Sequence, residues 1–544
     1  MRRSNARKPN PNSEPHRPMD PAKFSFRSPR PGFRSPKTKQ SNPRLRYYLY
    51  VSFSIAFLLF CYVLFSGGRH RESSRYRVVI DGGSTGTRIH VFRYQVRDGK
   101  LVLDFTEKGL ASMKVNPGLS AYAEEPQKAA AAVAELLEFA KGNVPREHWP
   151  EVEVRLMATA GMRLLKNEDQ ERILDECRKI LKASGFRFRH DWAAVISGSD
   201  EGLYAWVVAN YALGTLGADP SQTTGIIELG GASAQVTFVS NDSTHPEFSR
   251  QVKFGNYTYN LYSHSLLHFG QNVAFDLLKE SLASGDQELA GESLQRGKTT
   301  DPCTPRGYTP RKDESKASPS TLVENSRYPS TLLPSGNFTE CRSESLKFLK
   351  KDHDRCAYET CYVGSTFIPK LQGKFLATEN FFHTSKFFGL NQRAFLSHLV
   401  VAGQQFCAED WAELRQKYVS IGEEDLLRYC FSSAYIVALL HDSLGIALDD
   451  HRIEYANNVR KVPLDWALGA FVLQSAAELD EQRSDWISTL TGGKSPHWLL
   501  IIFGVSVALI FASWVASKLR KPKLKTIYDL EKGKYIITRI GRYS

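Results

Sequence analysis

The sequence predicts an α/β fold of two related lobes closing on a cleft, and two observations carry that expectation. A strand, a glycine-and-hydroxyl turn and a second strand occur twice. Arg77-Val78-Val79-Ile80 leads through Asp81-Gly82-Gly83-Ser84-Thr85-Gly86-Thr87-Arg88 into Ile89-His90-Val91-Phe92. Gly225-Ile226-Ile227 leads through Glu228-Leu229-Gly230-Gly231-Ala232-Ser233-Ala234-Gln235 into Val236-Thr237-Phe238-Val239. Between and beyond the two hairpins, strand-like and helix-like segments alternate, which is the pattern of layered sheets and helices. The repeat indicates an internal duplication rather than a solenoid.

Taken in order, residues 1–46 are rich in Pro, Ser, Arg and Lys, with little to bury, and are expected to be disordered. Tyr47 to Ser66 is uncharged and apolar, long enough to span a bilayer as a helix. A cleaved signal peptide is the competing reading; the long leader and the lack of a small-x-small cleavage site favour a retained anchor. A polar stalk, Arg69 to Arg75, precedes the first hairpin. Glu125-Pro126 opens a helix that ends by Gly142, Glu153 to Ala158 reads as a strand, and residues 168–184 read as a helix. Gly198 to Leu213 and Glu423 to Leu444 are further helices, and Asp465-Trp466 starts the last one. Residues 290–340 form a polar, Pro/Ser-rich surface insertion. Trp498 to Ala516 is a second apolar stretch of spanning length, and 517–544 is a basic tail. The expected domain is therefore 69–495, with one lobe at about 76–196 plus 446–480 and the other at about 197–445.

Charge refines this picture. The net formal charge is +13, yet residues 1–46 supply +11 and residues 517–544 supply +7, which leaves −5 for everything between. A mildly acidic centre between basic tails excludes a nucleic-acid-binding role. Basic flanks beside apolar stretches place both tails on the cytosolic side, so the central region is lumenal or extracellular. Six of the eight cysteines, Cys303, Cys341, Cys356, Cys361, Cys407 and Cys430, cluster in the second half of that region and read as disulfides of an oxidising compartment. Spacing favours the sequential pairing 303–341, 356–361 and 407–430 among the fifteen that six cysteines allow. Cys177 shares a helix face with Ile173, Leu174 and Leu181 and reads as a buried thiol. Glycosylation sequons stand at Asn241, Asn256 and Asn337.

The repeated turns also carry chemistry. Glycines bring backbone N–H groups close to an anion, and hydroxyls add donors. Two such hairpins facing each other clamp a chain of phosphates, and Asp81 and Glu228, at the same place in each turn, are suited to the accompanying metal.

Five segments in order, DGGSTGTR (81–88), ATAGMRLL (158–165), SGSDEGLYAWVVANY (197–211), IELGGASAQVTF (227–238) and DWALGA (465–470), resemble the apyrases. These are the nucleoside triphosphate diphosphohydrolases of the actin/hexokinase-like (RNase H-like) ATPase superfamily. The twin apolar stretches and the cysteines fit a membrane-bound subset. The resemblance implies a central catalytic cleft and hydrolysis of terminal phosphates from nucleoside tri- and diphosphates with Ca²⁺ or Mg²⁺. It implies Glu201 as the general base, with Gln235 and Ser233 holding the attacking water. Gly83, Ser84, Thr85, Gly86, Thr87 and Arg88 would bind phosphate from one side, Gly230, Gly231 and Ala232 from the other, and Thr159 would order the phosphate end. Asp81 and Glu228 would meet the metal through water. Glu228 departs from the family, which more usually has Asp there; the extra methylene pushes the carboxylate outward by roughly a bond length. Trp466 reads as a packing residue at the lobe junction. Phe381 to Phe388 fall in the region where family members stack the nucleobase, although so aromatic a run is more often core.

Two other functions fit the loops: a catalytically weak nucleotide-binding receptor and an actin-fold phosphotransferase. A need for an acceptor sugar, or no phosphate release at all, distinguishes them. Membrane-bound apyrases occur at the cell surface and in Golgi or vesicle membranes, the latter slightly favoured here, and their paired membrane helices can associate into homo-oligomers.

Overall fold

The computed structural model describes residues 74–97, 100–106, 108–240, 245–284, 300–309, 332–358 and 361–491, with isolated positions at 54 and 57 and parts of 504–539. The chain divides into Met1–Arg71, of which only Ser54 and Phe57 are described, and Glu72–Ser544. Tyr47 to Ser66 and Trp498 to Ala516 lie mostly outside the described residues. No helix among the described residues is long and apolar enough to cross a membrane. Most of the insertion at 290–340 also lies outside them.

Two mixed sheets share one plan. In the first, β1 (Arg75–Gly82) and β2 (Thr87–Arg97) form the DGGS hairpin. β2 is extended by β3 (Lys100–Leu103) and β4 (Leu110–Val115), while β5 (Val154–Ala158) and β6 (Ala193–Val195) run parallel to β1 on its other side. In the second, β7 (Gly225–Leu229) and β8 (Ser233–Val239) form the ELGG hairpin, extended by β10 (Tyr257–Leu267) and, beyond it, β9 (Ser249–Phe254). β11 (Phe375–Glu379) and β12 (Ile453–Tyr455) run parallel to β7. The predicted hairpin is thus built twice, each time with two parallel strands beside it. The expected lobe boundary needs one correction: Ile453–Tyr455, read as part of the first lobe, pairs with β11 in the second sheet.

Helices layer the sheets in the order that amphipathic patterning requires. α1 (Pro126–Asn143) and α2 (Asn167–Ala183) cover the outer face of the first sheet, burying Val133, Leu136, Ile173 and Leu181 against Val78, Ile80 and Leu156. Pro126 sits in the first turn of α1, where its missing N–H costs nothing. Cys177 is buried among these side chains, as expected. α3 (Gly198–Leu213) and α9 (Trp466–Thr491) fill the space between the sheets, where Trp206, Phe471, Phe92 and Ile226 share a core. α3 is apolar on nearly all sides, as a helix packed between two sheets must be. Gly469 is what lets α9 approach: a Cβ there would lie 1.8 Å from the Tyr204 carbonyl oxygen. The outer face of the second sheet is covered by α4 (Gln271–Ser284), α5 (Phe338–Leu349), α6 (Asn380–Phe387), α7 (Leu396–Ala408) and α8 (Glu423–Val437).

The disulfides form in the predicted pairing, Cys303–Cys341, Cys356–Cys361 and Cys407–Cys430. Cys303, Cys341, Cys407 and Cys430 lie inside the second-lobe core, so these two links tie surface segments to the core. Asn256 stands in the exposed turn before β10, whereas the Asn337 amide oxygen accepts from the Thr339 and Glu340 N–H groups and caps α5. Asn241 lies outside the described residues.

Candidate active site

The turns of the two hairpins meet. Gly231 in one approaches the other so closely that a Cβ would sit 2.8 Å from both the Ser84 hydroxyl and the Thr85 methyl. Around this contact lies a cleft lined from the first lobe by Asp81, Gly83, Ser84, Thr85, Gly86, Arg88 and Thr159. Glu201, Glu228, Gly230, Gly231, Ala232 and Ser233 line it from the second. Its walls are predominantly polar, as an anion site requires.

Two predicted positions are placed differently. Thr87 is fully buried at the base of its hairpin, paired with Gly82, and does not reach the cleft. Gln235 is buried behind Ser233, to which its amide donates at 2.7 Å, and donates to Ser265 at 3.2 Å. Its side chain also lowers the pKa of Glu201. The Gly230 N–H is committed to the turn, donating to the Ser233 carbonyl at 3.0 Å. Among the described residues, the N–H groups of Ser84, Thr85, Gly86, Gly231 and Ala232 have no backbone acceptor and stay available to a ligand.

Glu201 reaches the cleft because another residue caps its helix. Ser197 accepts from the Asp200 N–H at 3.1 Å and donates to the Asp200 carboxylate at 2.7 Å, which leaves Glu201 one residue on. The Glu201 carboxylate is buried and pairs with Arg163, Nη2 to Oε2 at 2.7 Å. Arg163 ends the helical turn Ala160–Arg163 that follows β5, and it is further held by the Ile196 carbonyl at 3.3 Å and Ser233 Oγ at 3.4 Å. Burial raises the Glu201 pKa above the usual carboxylate value, while Arg163 and Gln235 pull it back down. Arg163 lies within a segment quoted for the resemblance, yet nothing in its spacing tells that it meets Glu201.

Asp81 and Glu228 occupy equivalent places in the two hairpins. Asp81 pairs across its ladder with Arg88, and Glu228 with Gln235. Asp81 Oδ1 and Glu228 Oε2 are both buried without a hydrogen-bond partner. Burial drives both carboxyl pKa values well above their usual range, aided by Asp465 and Glu201 for Asp81 and by Glu201 and Glu379 for Glu228. Two orphaned carboxylate oxygens in one cleft fit a divalent cation. Among the described residues no set of three or more His, Cys, Asp or Glu side chains is arranged to ligate a metal directly, so the pair suits a cation that keeps part of its water.

Three more charged residues line the cleft unforeseen: Lys114, Glu379 and Asp465. Asp465 caps α9 through the Ala467 N–H at 2.9 Å and stands 3.4 Å from Arg88 and 3.3 Å from His90. Glu379 has φ +57° and ψ −118°, a strained conformation for a side-chain-bearing residue, locked by its N–H donating to Asn457 Oδ1 at 2.7 Å. Such strain concentrates at functional sites. Trp466 both lines the cleft and stacks near Tyr204, ring centroids 6.4 Å apart, joining the lobes as expected. Thr159 is buried beside the cleft, its N–H donating to the Gly82 carbonyl at 3.1 Å. In the aromatic run, Phe387 stacks on Tyr429, both partly buried against the core, and Phe381 is buried within it.

Known proteins share this architecture. The sequence pattern of the GDA1/CD39 (nucleoside phosphatase) family matches residues 68–484. The chain is 53% identical over 558 aligned positions to "Probable apyrase 6" of Arabidopsis thaliana, covering 99% of this chain and 100% of that one. It is 29% identical to mouse "Ectonucleoside triphosphate diphosphohydrolase 1", covering 73% and 80% respectively. A nucleoside triphosphate hydrolase structure from Neospora caninum superposes with a TM-score of 0.57 at 18% identity, over 82% of this chain and 99% of that one, which supports the shared fold.

Proposed function

The chain belongs to the GDA1/CD39 family of nucleoside phosphatases and is an enzyme acting on nucleotide phosphates; on that premise we propose that it hydrolyses the terminal phosphoanhydride of nucleoside tri- and diphosphates. The observation that carries this reading is the meeting of two glycine loops, Ser84 against Gly231, in the same cleft as the buried carboxylate of Glu201.

Phosphoanhydride hydrolysis needs a positioned water, a base and donors for the charge on the equatorial oxygens. The Ser84 and Thr85 hydroxyls, and the free N–H groups of both loops, supply the donors. Ser233 holds the water, and Gln235 fixes Ser233 and Glu201 relative to each other. Glu201, paired with Arg163, takes a proton from that water as its oxygen attacks the terminal phosphorus. The bond from that phosphorus to the bridging oxygen breaks. Orthophosphate leaves with one nucleoside phosphate shorter by one unit, whose new charge faces Arg88. Asp81 and Glu228 would hold Ca²⁺ or Mg²⁺ through bound water, and that cation, when present, neutralises phosphate charge.

The same reading extends to the setting. The described residues within Trp498 to Ala516 are helical and expose Val505, Leu509, Ile510 and Trp514, side chains suited to lipid rather than water. Three disulfides fit a lumenal or extracellular cleft. We place the enzyme in a Golgi, vesicle or surface membrane.

The test is phosphate release by the full chain, expressed through a secretory pathway and purified in detergent, from ATP, ADP, UDP and GDP with Ca²⁺, Mg²⁺ or chelator. Cation-dependent release from nucleotides is the expected outcome. Release only with an acceptor sugar present would make the protein a phosphotransferase, and no release from folded protein would make it a receptor.

A further inference from the structure

We propose that Lys114 is a phosphate-binding residue of this cleft, holding the phosphate next to the one that is cleaved and setting affinity for the polyphosphate chain. The inference rests on the nucleotide reading above and adds a residue that none of the glycine motifs contains.

Its basis is a row of side chains across the first sheet. Asp81 on β1 pairs in register with Arg88 on β2, and Arg88 pairs with Lys114 on β4. Register partners in an antiparallel ladder project from the same face, so all three stand on the cleft wall. Lys114 does line it, together with Ser84 and Gly231. Its stem crosses the phosphate loop at Gly86, where a Cβ would lie 2.2 Å from Lys114 Cε. The glycine of that loop therefore makes room for the lysine as well as for an anion.

The charge on Lys114 has no local purpose in the fold. Among the described residues no carboxylate stands within 4 Å of it, whereas Arg88 has Asp465 at 3.4 Å. Partial desolvation and the neighbouring Arg88 lower the Lys114 pKa, while Glu379, Asp81 and Asp425 hold it up. An exposed ammonium without an ion pair, held beside a like charge at the wall of a donor-rich cleft, attracts an anion. The terminal phosphate belongs between Ser84, Gly231 and Glu201. Gly86 lies on the side of the loop that leads into β2, so the cation above it meets the preceding, untransferred phosphate. A flexible point charge there binds ground state and transition state alike, and its loss raises KM more than it lowers kcat.

The test uses the full chain as wild type, Lys114→Met and Lys114→Arg. It compares steady-state phosphate release from a nucleoside di- and triphosphate with equilibrium binding of a non-hydrolysable imido analogue. Lys114→Met is expected to raise KM and weaken analogue binding about tenfold or more, as loss of a charge-assisted hydrogen bond does. The same variant should change kcat by less than about threefold, and Lys114→Arg should restore most of the affinity. Unchanged KM and unchanged analogue affinity in Lys114→Met overturn the proposal. So does an arginine variant as impaired as the methionine variant with a lowered Tm, which marks a structural role. If the wild type releases no phosphate from any nucleotide, the hydrolytic reading fails separately. Analogue binding then still decides: weakening in Lys114→Met supports the assignment, and equal affinity or no binding by the wild type overturns it.

Discussion

Arg163 and Glu201 lie 38 residues apart in the chain and form a 2.7 Å ion pair in the cleft. Arg163 follows β5 in the first sheet, and Glu201 belongs to the first turn of α3, which packs against β8 and β10 of the second. The pair tunes the proposed base: burial raises the Glu201 pKa, and the guanidinium lowers it. Replacing Arg163 by Met should therefore raise the Glu201 pKa. A base acts only when deprotonated, so the acid limb of the kcat/KM–pH profile should move to higher pH. An acid limb that stays in place in the variant argues against this role.

Glu201→Gln keeps the shape and the Ser197 cap while removing the base. Turnover should drop by about 10²–10⁴-fold with the Tm essentially kept, since general-base loss typically costs that much. Near-normal turnover in the purified variant would falsify the assignment.

Asp81 and Glu228 carry folded-state pKa values well above their unfolded ones, burial being the main cause. Their contribution to stability is present below the unfolded carboxylate pKa and is lost as pH rises through the folded value. Chelator-treated protein should thus gain stability from this pair as the pH is lowered from neutral. Ca²⁺ or Mg²⁺ should raise the Tm at neutral pH, by an increment that shrinks on acidification as protons compete for the same oxygens. Glu228→Gln should lose much of both effects. Thermal melts of the two chains across pH, with cation and with chelator, decide the matter, and an undiminished cation increment in Glu228→Gln contradicts it.

Glu379 holds an unfavourable backbone conformation beside the Asp465 carboxylate. Glu379→Gly should relieve roughly 1–3 kcal/mol of strain, less the backbone entropy that glycine adds, and raise the Tm while changing nucleotide kinetics. A lower Tm would show that the Glu379 side chain stabilises the lobe instead of serving the cleft.

Much of this was legible in the sequence because the duplicated hairpin is a local pattern: strand, glycine turn, strand, with a carboxylate at one position. The same locality gave the disulfides their nearest-neighbour pairing. Thr87 was misjudged because a hydroxyl in a phosphate-type loop reads as a donor, whereas its pairing with Gly82 turns it inward. Arg163 and Lys114 act across strands and lobes, and no spacing along the chain encodes those contacts. Glu379 ends β11 and pairs there with Leu229 of β7 as Ala158 of β5 pairs with Gly82 of β1, an equivalence that only the folded ladder shows. The pairing of β12 with β11 escaped because three residues form too short a run for alternation to place.

The helix pair α3 and α9, joined where Gly469 meets the Tyr204 carbonyl, connects the two sheets behind the cleft, while the catalytic groups are divided between its walls. Any hinge opening about that pair pulls Arg163 away from Glu201 as it separates Ser84 from Gly231. A change in the spacing of the two walls would therefore act on the phosphate cradle and on the proposed base together, because each is built from both lobes: the first joins Ser84 to Gly231, the second Arg163 to Glu201.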